Sequence, residues 1–380
     1  MDLSECRTKI DEIDRELVRL FAERMDIVLD VAKYKKEHNL PILDAARERA
    51  LLSKVSALAG EELETYTRVL FSTIMSLSRS RQARQLLPET ALSDRIAAAL
   101  RDTPQLFPEK AVVACQGVEG AYSQVACEKI FRVPDIVFVN SFDAVFRAVD
   151  AGLCRYGILP LENNSAGSVN QVYELMSRYN FSIVRAARVR VSHCLLALPG
   201  ASLDGIREVY SHEQAIGQCA RFFAEHKSIR AVPFANTAAA ARAVAESGRH
   251  DIAALASDSC AALYGLKALS SDVQDNGGNY TRFICISKNL EVYPGADKTS
   301  IRMTLPNRPG SLYSALAMVT ALGVNIIKLE SRPISGSEFA FQFFLDFDAS
   351  VYAPALTALL RELEAGCETF EYLGSYTEIV

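Results

Sequence analysis

The sequence predicts a multidomain chain that contains an all-α domain, then a two-lobed α/β domain, then an α+β domain. Residues 1–88 show only the three-and-four spacing of apolar residues that is typical of helices. Residues 111–288 alternate short apolar strands with amphipathic helices, and residues 298–380 follow the order strand, helix, strand, strand, helix, strand. A chain of 380 residues is long enough for roughly two to three domains.

Composition limits the class of function. The net charge is −5, so the basic surface of a nucleic-acid-binding protein is not expected. The sequence holds no apolar run of about 18 residues and no signal-peptide core, so no membrane partner is expected. The nine cysteines are scattered without a CxxC pair, which favours a reducing cytoplasm, and five scattered histidines without HExxH predict no metal site.

Three helices account for the first segment. Apolar residues recur from Leu3 to about His38, and Pro41 then stops the first helix. A second helix is expected from Asp44, a good N-cap residue, and a third over about 62–86. At about 1.5 Å per residue the first helix is about 50 Å long. Because so small a domain cannot bury that whole apolar stripe, we expect partner helices from a second copy of the chain.

Cations accompany the apolar stripe of the first helix. Arg24 lies in the stripe, Arg7 lies beside its start and Lys35 follows it by one turn. Burying a guanidinium is unfavourable unless an anion pairs with it, so this pattern indicates a site for a small polyanion. Alternatively, Arg7 and Lys35 are solvated, and Arg24 snorkels or pairs with a local carboxylate.

The middle of the chain begins with a linker and continues as an α/β domain. Residues 88–110 hold three prolines and one short helical stretch, so we interpret 89–110 as the linker. Mostly parallel sheets are expected for 111–288, with a cleft between two lobes. The predicted strands are AVVAC, DIVFV, YGILPL, REVY, IRAVPF, DIAALA and YTRFICI.

The last segment, residues 298–380, has the element order of the ferredoxin-like βαββαβ unit. Its predicted strands are SIRMTL, NIIKLESRPI, FAFQFFLDF and CETFEYLG. Its predicted helices are SLYSALAMVTALG and APALTALLRELEAG. A domain of this type is expected at the C-terminal end of the sequence.

The first segment resembles the all-helical chorismate mutase domain, and the resemblance implies an intertwined helical fold. Chorismate is a dianion that rearranges through a cyclic transition state, so such a site holds the compact conformer and stabilises charge on the ether oxygen. No nucleophile or proton transfer is required. The resemblance implies that Lys35 and Gln82 donate to the ether oxygen and that Glu48 and Asp44 hold the ring hydroxyl. It also implies that the carboxylates of chorismate are bound by Arg24, by Ser78 and by Arg7 from the partner chain. Arg47 is expected to support this carboxylate region.

The middle segment resembles prephenate dehydratase, which implies a two-lobed, periplasmic-binding-protein-like fold. The matching motifs are GGNYTRF at 277–283, GVEGAYS at 117–123 and LPLENNS at 159–165. The GVEGAYS motif opens a helix after a strand, so its backbone N–H groups can face an anion. The resemblance implies that Thr281 is catalytic, and that substrate is bound by Ser123, Glu162, Asn163, Ser211, Gln218, Asn236, Thr237, Arg282 and Phe283.

Two of these roles follow from the chemistry of prephenate, which loses CO₂ and a hydroxyl group as it becomes aromatic. A threonine is a poor acid, so Thr281 is expected to donate or relay a hydrogen bond to the leaving hydroxyl. Arg282 is expected to clamp a carboxylate, and the alternative is a structural ion pair.

In the last segment, Pro309-Gly310-Ser311-Leu312 opens the first helix, and Glu330-Ser331-Arg332-Pro333 ends the second strand. With these motifs the segment resembles an ACT regulatory domain, which binds phenylalanine between paired domains in dehydratases. At position 313 the chain has a tyrosine, which is not the residue that the family usually has there. Because tyrosine is bulky, the affinity for the effector is in question if this side chain faces the ligand. The effector-binding residues implied are Gly310, Ser311, Leu312, Glu330, Ser331, Arg332 and Pro333.

The chain is therefore identified as a member of the bifunctional chorismate mutase–prephenate dehydratase (P-protein) family. The expected ligands are chorismate, prephenate and phenylalanine, without a cofactor, in a homodimer or a higher even oligomer. Two alternatives stay open. One is a mutase fused to prephenate dehydrogenase, which lacks support because no GxGxxG motif follows a strand at the start of the second domain. The other is a two-lobed solute-binding or sensor protein.

Overall fold

A computed structural model describes residues 2–86, 90–334 and 340–380, and the side chains of 45 and 83–86 are not considered. The chain forms two compact units. One contains Met1–Ala98 with Thr299–Tyr372, and the other contains Ala99–Lys298 with Leu373–Val380. The predicted boundary at residues 88 and 89 lies outside the described residues.

Two long helices form the N-terminal part, and the second is broken between the second and third predicted helices. The first, α1 (Leu3–Glu37), starts with a capping box, in which Asp2 accepts from the backbone N–H of Glu5 and the Glu5 carboxylate accepts from that of Asp2. The second, α2 (Ala45–Leu86), is interrupted at Gly60, whose φ of 76° and ψ of 168° are not helical. That break separates the two predicted helices, because glycine reaches positive φ without strain. A third helix, α3 (Ala91–Asp102), occupies part of the predicted linker.

The α/β part has two sheets, and its elements extend from residue 110 to residue 287. They are β1 (Lys110–Gln116), α4 (Tyr122–Ile130), β2 (Val133–Val139), α5 (Phe142–Asp150), β3 (Tyr156–Asn163), β4 (Gly167–Ser168), α6 (Asn170–Arg178), β5 (Ser182–Arg190), β6 (Cys194–Ala197), β7 (Glu208–Ser211), α7 (Glu213–Gly217), α8 (Ala220–Glu225), β8 (Arg230–Pro233), α9 (Thr237–Ser247), β9 (Ile252–Ala256), α10 (Ser259–Tyr264), β10 (Lys267–Ser270) and β11 (Tyr280–Ser287).

The C-terminal part has the predicted order of strands and helices. It consists of β12 (Lys298–Thr304), α11 (Ser311–Ala321), β13 (Asn325–Pro333), β14 (Phe341–Asp348), α12 (Pro354–Gly366) and β15 (Thr369–Tyr376), followed by the short strand β16 (Glu378–Ile379). The strands form a sheet in the order β13-β14-β12-β15. Phe339, the predicted first residue of the third strand, lies outside the described residues.

The two α/β sheets are mixed, so the prediction of mostly parallel sheets was wrong. The first has the order β16-β5-β11-β3-β1-β2 with β4 on β3, and the second has the order β10-β6-β9-β7-β8. Strand β1 pairs parallel with β2 and β3, but β11 lies antiparallel between β3 and β5. The reason is the chain path: it leaves the first sheet after β5, builds the second sheet, and returns as β11.

Sequence patterns missed the strands that carry arginines or are very short. Strand β5 contains Arg185, Arg188 and Arg190, so it lacks an apolar run, although it pairs with β11 along its length. Strand β16 has only two residues and pairs parallel with β5 through Glu378 and Ile379. Just before it, a Cβ at Gly374 would lie 2.3 Å from the carbonyl oxygen of Ile183, so only glycine fits there. None of the helices in the described ranges is both long and apolar enough to cross a membrane.

Two candidate active sites

The helical part brings Arg24 and Ser78 together across α1 and α2. Arg24 Nη1 donates to Ser78 Oγ at 2.5 Å, and Ser78 Oγ donates to the carbonyl oxygen of Ile74 at 2.7 Å. Ser78 is only 5% exposed, and burial lowers the pKa of Arg24. The usual pKa of arginine is so high that Arg24 stays a cation at neutral pH. A partly buried guanidinium next to a hydroxyl is a ready partner for a carboxylate.

Polar groups near the start of α2 form a second cluster. Asp44 caps the helix, since its carboxylate accepts from the backbone N–H of Arg47 at 2.9 Å. Glu48 forms an ion pair with Arg79, a residue that sequence reasoning missed. Lys35 Nζ donates to the carbonyl oxygen of Ile42 at 2.5 Å. Asp44 therefore has a structural role in helix capping, and Lys35 is directed at the α1–α2 connection.

Gln82 and Arg7 contrast in burial. Gln82 is 7% exposed, and its Oε1 has no hydrogen-bond partner among the described residues. A buried amide end without a partner is unfavourable unless a ligand completes it. Arg7 is exposed on α1, and the 17 residues that separate it from Arg24 span about 25 Å along the helix. Within one chain, Arg7 is therefore remote from the Arg24–Ser78 pair.

In the α/β part, Thr281 and Asn163 face each other on adjacent strands. They are partners in the register of β11 and β3, and Asn163 Nδ2 donates to Thr281 Oγ1 at 3.0 Å. The same Nδ2 donates to Asn279 Oδ1 at 2.6 Å. Asn163 Oδ1 accepts from the backbone N–H groups of Ser165 and Ala166, at 3.0 and 2.9 Å. The turn after β3 therefore fixes which end of the Asn163 amide faces Thr281.

Gln218, from the second sheet's side of the domain, joins this cluster. Its Oε1 accepts from Asn279 Nδ2 at 3.0 Å and lies 3.1 Å from His193 Nε2. Asn279 and His193 are 1% and 2% exposed, and burial lowers the pKa of His193. Sequence reasoning left both out of the site. Asn279 stands inside the GGNYTRF motif, whereas the lone His193 between two apolar strands gave no signal.

Arg282 is buried and bound by protein groups. Its guanidinium contacts Glu162 at 3.3 Å, donates to the Tyr376 hydroxyl at 2.9 Å, and has its Nε 2.8 Å from Glu378. The last contact is an ion pair and not a directed hydrogen bond. Because three protein groups already contact the Arg282 guanidinium, these contacts favour a structural ion pair as the role of Arg282 over a clamp for a substrate carboxylate.

Two predicted substrate-binding residues are in fact buried structural residues. Ser211 is 0% exposed, and its hydroxyl donates to the carbonyl oxygen of Leu255 at 2.7 Å. Phe283 is 3% exposed and packs in the apolar cluster of the first sheet with Tyr156 and Cys285. Both side chains face the protein interior, whereas a motif shows which residues recur together and not which way each side chain points.

Two more predicted binding residues also contact the protein itself. Ser123 Oγ donates to the carbonyl oxygen of Gln116 at 2.6 Å, close to the start of α4. Asn236 caps α9, since its Oδ1 accepts from the backbone N–H of Ala239 at 2.7 Å, and Thr237 is the first residue of that helix. These residues shape helix starts, where backbone N–H groups face outward.

The C-terminal part has a pocket between the start of α11 and the strands β12 and β14. Among the predicted effector residues, Ser311 and Leu312 line it, and Gly310 precedes them with a φ of 86°. Tyr313 points elsewhere, because its hydroxyl lies 2.6 Å from Thr73 Oγ1 on α2. The described lining residues are Leu305, Pro306, Asn307, Arg308, Ser311, Leu312, Phe341 and Phe343.

The four predicted effector residues at the end of β13 do not line this pocket in the described chain. Glu330 and Arg332 form an ion pair at 2.8 Å. Ser331 and Pro333 are exposed on the opposite face of the strand, at the edge of the sheet. The structure therefore separates the predicted effector residues into two groups.

Two segments of the chain match known protein families. Residues 6–83 match the type II chorismate mutase family, and residues 113–291 match the prephenate dehydratase family. The middle segment is therefore a dehydratase domain and not the dehydrogenase of the alternative.

Relatives span most of the chain. The bifunctional chorismate mutase/prephenate dehydratase of Escherichia coli K12 is 30% identical over 379 residues, which make up 97% of this chain and 95% of the relative. The chloroplastic arogenate dehydratase/prephenate dehydratase 2 of Arabidopsis thaliana is 35% identical over 303 residues, 77% of this chain and 78% of the relative.

A solved structure matches a large part of the chain. The prephenate dehydratase of Arthrobacter aurescens in complex with L-Phe has a TM-score of 0.64 and 28% identity, and the match covers 70% of this chain and 90% of that one. The chain thus has chorismate mutase and prephenate dehydratase activities, and it belongs to the family of bifunctional chorismate mutase/prephenate dehydratases.

Proposed function

We propose that the two sites act in sequence in the synthesis of L-phenylalanine. The helical site rearranges chorismate to prephenate, and the α/β site then removes CO₂ and water from prephenate to form phenylpyruvate. The observation that carries the dehydratase assignment is the hydrogen bond from Asn163 Nδ2 to Thr281 Oγ1 at 3.0 Å. Because the threonine oxygen accepts this bond, its own proton is free to point at a substrate oxygen.

In the helical site, we assign charge stabilisation to residues on both helices. Arg24 binds a carboxylate of chorismate together with Ser78, whose hydroxyl it already contacts. Gln82 is buried on the same helix as Ser78, and its amide nitrogen donates to the ether oxygen together with Lys35. Glu48, held by Arg79, lies on the side of the ring hydroxyl.

A second copy of the chain completes this site in our proposal. The N-terminal half of α1 leaves its apolar stripe uncovered: Leu3, Ile13 and Leu17 are 67%, 59% and 55% exposed. A continuous apolar stripe of that length is typical of an interface. An antiparallel partner helix would cover it and bring Arg7 of the partner subunit to the Arg24–Ser78 pair. The chain is therefore assigned as a homodimer or a higher even oligomer.

In the dehydratase site, Thr281 donates a hydrogen bond to the leaving hydroxyl of prephenate. Glu162 is tied to Arg282, and this pair shapes the wall next to Thr281. Asn163 and Gln218 supply neutral polar groups, and backbone N–H groups at the starts of α4 and α9 supply partial positive charge for carboxylates. Aromatisation of the ring provides the driving force.

The C-terminal part is assigned as an ACT regulatory domain with the ferredoxin-like fold, and phenylalanine as its inhibitor. Its support is the βαββαβ order with the sheet order β13-β14-β12-β15 and the half-apolar pocket at the start of α11. Since Glu330–Pro333 lie on the edge strand β13, these residues close the pocket of a paired domain. Tyr313 does not obstruct the ligand, because it contacts Thr73.

The nine cysteines are all free thiols, and seven of them are buried. A reducing compartment keeps them in this state, so we assign the enzyme to the cytoplasm.

Replacing Thr281 tests the proposal directly. Thr281→Ala removes the only hydroxyl group of that side chain, so we expect the kcat for prephenate to fall about 100-fold, as when a single transition-state donor is lost. Mutase activity, measured in the same sample, serves as the control for folding and concentration and should be unchanged. Dehydratase activity near that of the unsubstituted chain would remove Thr281 from the mechanism.

A further inference from the structure

Five side chains of the α/β part form one continuous row of hydrogen bonds. The row runs from Thr281 through Asn163, Asn279 and Gln218 to His193, and we call it the amide row. Its four contacts measure 3.0, 2.6, 3.0 and 3.1 Å between donor and acceptor atoms. Three of its members are at most 7% exposed: Asn163, Asn279 and His193. The inference below rests on the proposed role of Thr281 and deepens it.

The donor and the acceptor of every hydrogen bond in the amide row can be assigned by starting from Asn163. The backbone N–H groups of Ser165 and Ala166 can only donate, and both point at Asn163 Oδ1. That atom is therefore the amide oxygen, and the Asn163 amide nitrogen faces Thr281 and Asn279. Asn279 must accept with its oxygen, so its own nitrogen donates onward to Gln218.

The same reasoning fixes the tautomer of His193. Gln218 must present its oxygen to Asn279, and this same oxygen lies 3.1 Å from His193 Nε2. An oxygen without a hydrogen can only accept, so the proton of the imidazole sits on Nε2. The other ring nitrogen, Nδ1, is buried and has no hydrogen-bond partner among the described residues, which agrees with a neutral ring whose Nδ1 is unprotonated.

The surroundings hold His193 in place. Its backbone N–H donates to Gln274 Oε1 at 2.8 Å, and its ring meets the Tyr122 ring edge-on with centroids 6.2 Å apart. Tyr122 is in turn anchored by its hydroxyl, which donates to the carbonyl oxygen of Ser192 at 2.5 Å. His193 is therefore a rigid donor, while Gln218 Nε2 has no protein partner among the described residues.

We propose that His193 is a positioning residue of the dehydratase site, which acts through Gln218 and the amide row to keep the Thr281 hydroxyl proton directed at the substrate. The Nε2–H of His193 holds Gln218 with its oxygen toward Asn279. Without that bond, the Gln218 amide is free to rotate and present its nitrogen to the Asn279 nitrogen. Two donors would then face each other, and Asn279 would turn. The Asn163 nitrogen would lose its shortest hydrogen bond, of 2.6 Å, and would shift towards the carbonyl oxygen of Tyr280, which lies 3.2 Å away, while Ser165 and Ala166 still hold the Asn163 oxygen.

The tautomer can be measured without any substitution. Histidine labelled with ¹⁵N reports the protonation of each ring nitrogen, and the His193 signals are identified by their loss in His193→Gln. We expect a protonated Nε2 and an unprotonated Nδ1 near neutral pH. An unprotonated Nε2, with the proton on Nδ1, would overturn the proposed direction of the row.

Two variants test the effect on the reaction. His193→Leu removes the donor, whereas His193→Gln places an amide nitrogen where Nε2 stood. We expect His193→Leu to lower kcat for prephenate about tenfold, the effect of losing one hydrogen bond in a buried network, with KM nearly unchanged. His193→Gln should recover most of that loss. The matched control is His250→Leu on the exposed surface, which should change neither constant.

A double substitution separates positioning from general packing. If His193 acts through Gln218, then His193→Leu in a Gln218→Ala background should lower kcat little further. Additive losses would overturn the proposed route, as would unchanged kcat in His193→Leu. Urea unfolding of each variant reports whether the α/β part is folded, because the mutase site lies in the other compact unit. The NMR measurement on the unsubstituted protein decides the matter if His193→Leu fails to fold.

Failure of the inference differs from failure of the proposed function. An inactive Thr281→Ala with a fully active His193→Leu rejects only the role of His193. If Thr281→Ala is fully active, the proposed role of Thr281 is rejected. The proposed function of the amide row is then rejected too, even where the ¹⁵N signals show the expected tautomer.

Discussion

The Nε atom of Arg282 lies 2.8 Å from a carboxylate oxygen of Glu378, which belongs to the two-residue strand at the C-terminal end of the sequence. Both side chains are almost fully buried, at 8% and 3% exposure. Arg282 directly follows Thr281, the proposed catalytic residue, and also contacts Glu162. Glu378 therefore lies two residues along the contact path from the proposed catalytic Thr281, although more than 90 residues separate Glu378 from Arg282 in sequence.

The substitution Glu378→Gln tests whether the contact between Glu378 and Arg282 stabilises the dehydratase part. Glu378 pairs with both Arg282 and Arg188, so its loss leaves Arg282 with Glu162 as a remaining carboxylate partner and Arg188 without Glu378. Because Arg282 is buried, we expect the free energy of unfolding of the dehydratase part to fall by about 3 kcal/mol. The measurement is urea unfolding followed by loss of dehydratase activity. The matched control is Asp150→Asn, which breaks the exposed pair with Lys288 and should cost at most about 1 kcal/mol. Equal effects of the two substitutions would show that Glu378 is not structural.

Mixing two inactive variants tests the shared mutase site. In a dimer of Arg7→Ala and Arg24→Ala chains, one of the two sites receives both arginines, so random mixing should restore about a quarter of the sites. Mutase activity of the mixed, refolded sample measures this. As a control, Arg24→Ala mixed with Gln82→Ala should restore nothing, because one chain supplies both residues to its own site. No recovery in the first mixture would place Arg7 outside the site.

The neutral amide of Gln82 predicts how mutase activity depends on pH. An amide donates at any pH, so the rate should stay nearly constant from about pH 6 to about pH 9, a range that lies above the usual carboxyl pKa and below the usual lysine pKa. In Gln82→Glu, only the protonated carboxyl donates, so the rate should fall as rising pH removes that proton. Mutase pH–rate profiles of both proteins test this. A steep fall near neutrality in the unsubstituted chain would contradict the role of Gln82.

The contact of Tyr313 with Thr73 predicts that the departure from the ACT pattern does not weaken effector binding. We expect Tyr313→Ala to leave the Kd for phenylalanine within about twofold, since the side chain is directed at α2 and not at the pocket. Phe343→Ala removes a pocket wall and should weaken binding about tenfold or more. Calorimetric titration of both variants provides the measurement. Weak binding by Tyr313→Ala alone would show that the tyrosine holds the ligand.

Much of the fold could be predicted because apolar periodicity reports burial. The long helix from Leu3 and the break before the third helix both agree with the structure, and Gly60 provides the break. Strand direction could not be predicted, because the pattern of YTRFICI is the same whether β11 runs parallel or antiparallel. The strand at Glu378 was missed because two residues carry no periodicity.

The residues of the dehydratase site could be predicted only in part, because a sequence pattern does not show where a side chain points. Thr281, Asn163 and Gln218 do come together, as the motifs imply. Ser211 and Phe283 stand in the same motifs but turn into the protein interior, and a recurring sequence pattern does not separate these two outcomes. His193 lies outside every motif, and only its distance to Gln218 reveals it.

We propose that one chain performs two consecutive reactions at two separate sites. The decisive experiment supplies purified protein with chorismate alone and follows the absorbance of chorismate, prephenate and phenylpyruvate over time, with and without phenylalanine. We predict that prephenate rises and then falls as phenylpyruvate forms, and that phenylalanine slows the second step. Prephenate that accumulates without phenylpyruvate, in the absence of phenylalanine, would contradict the claim.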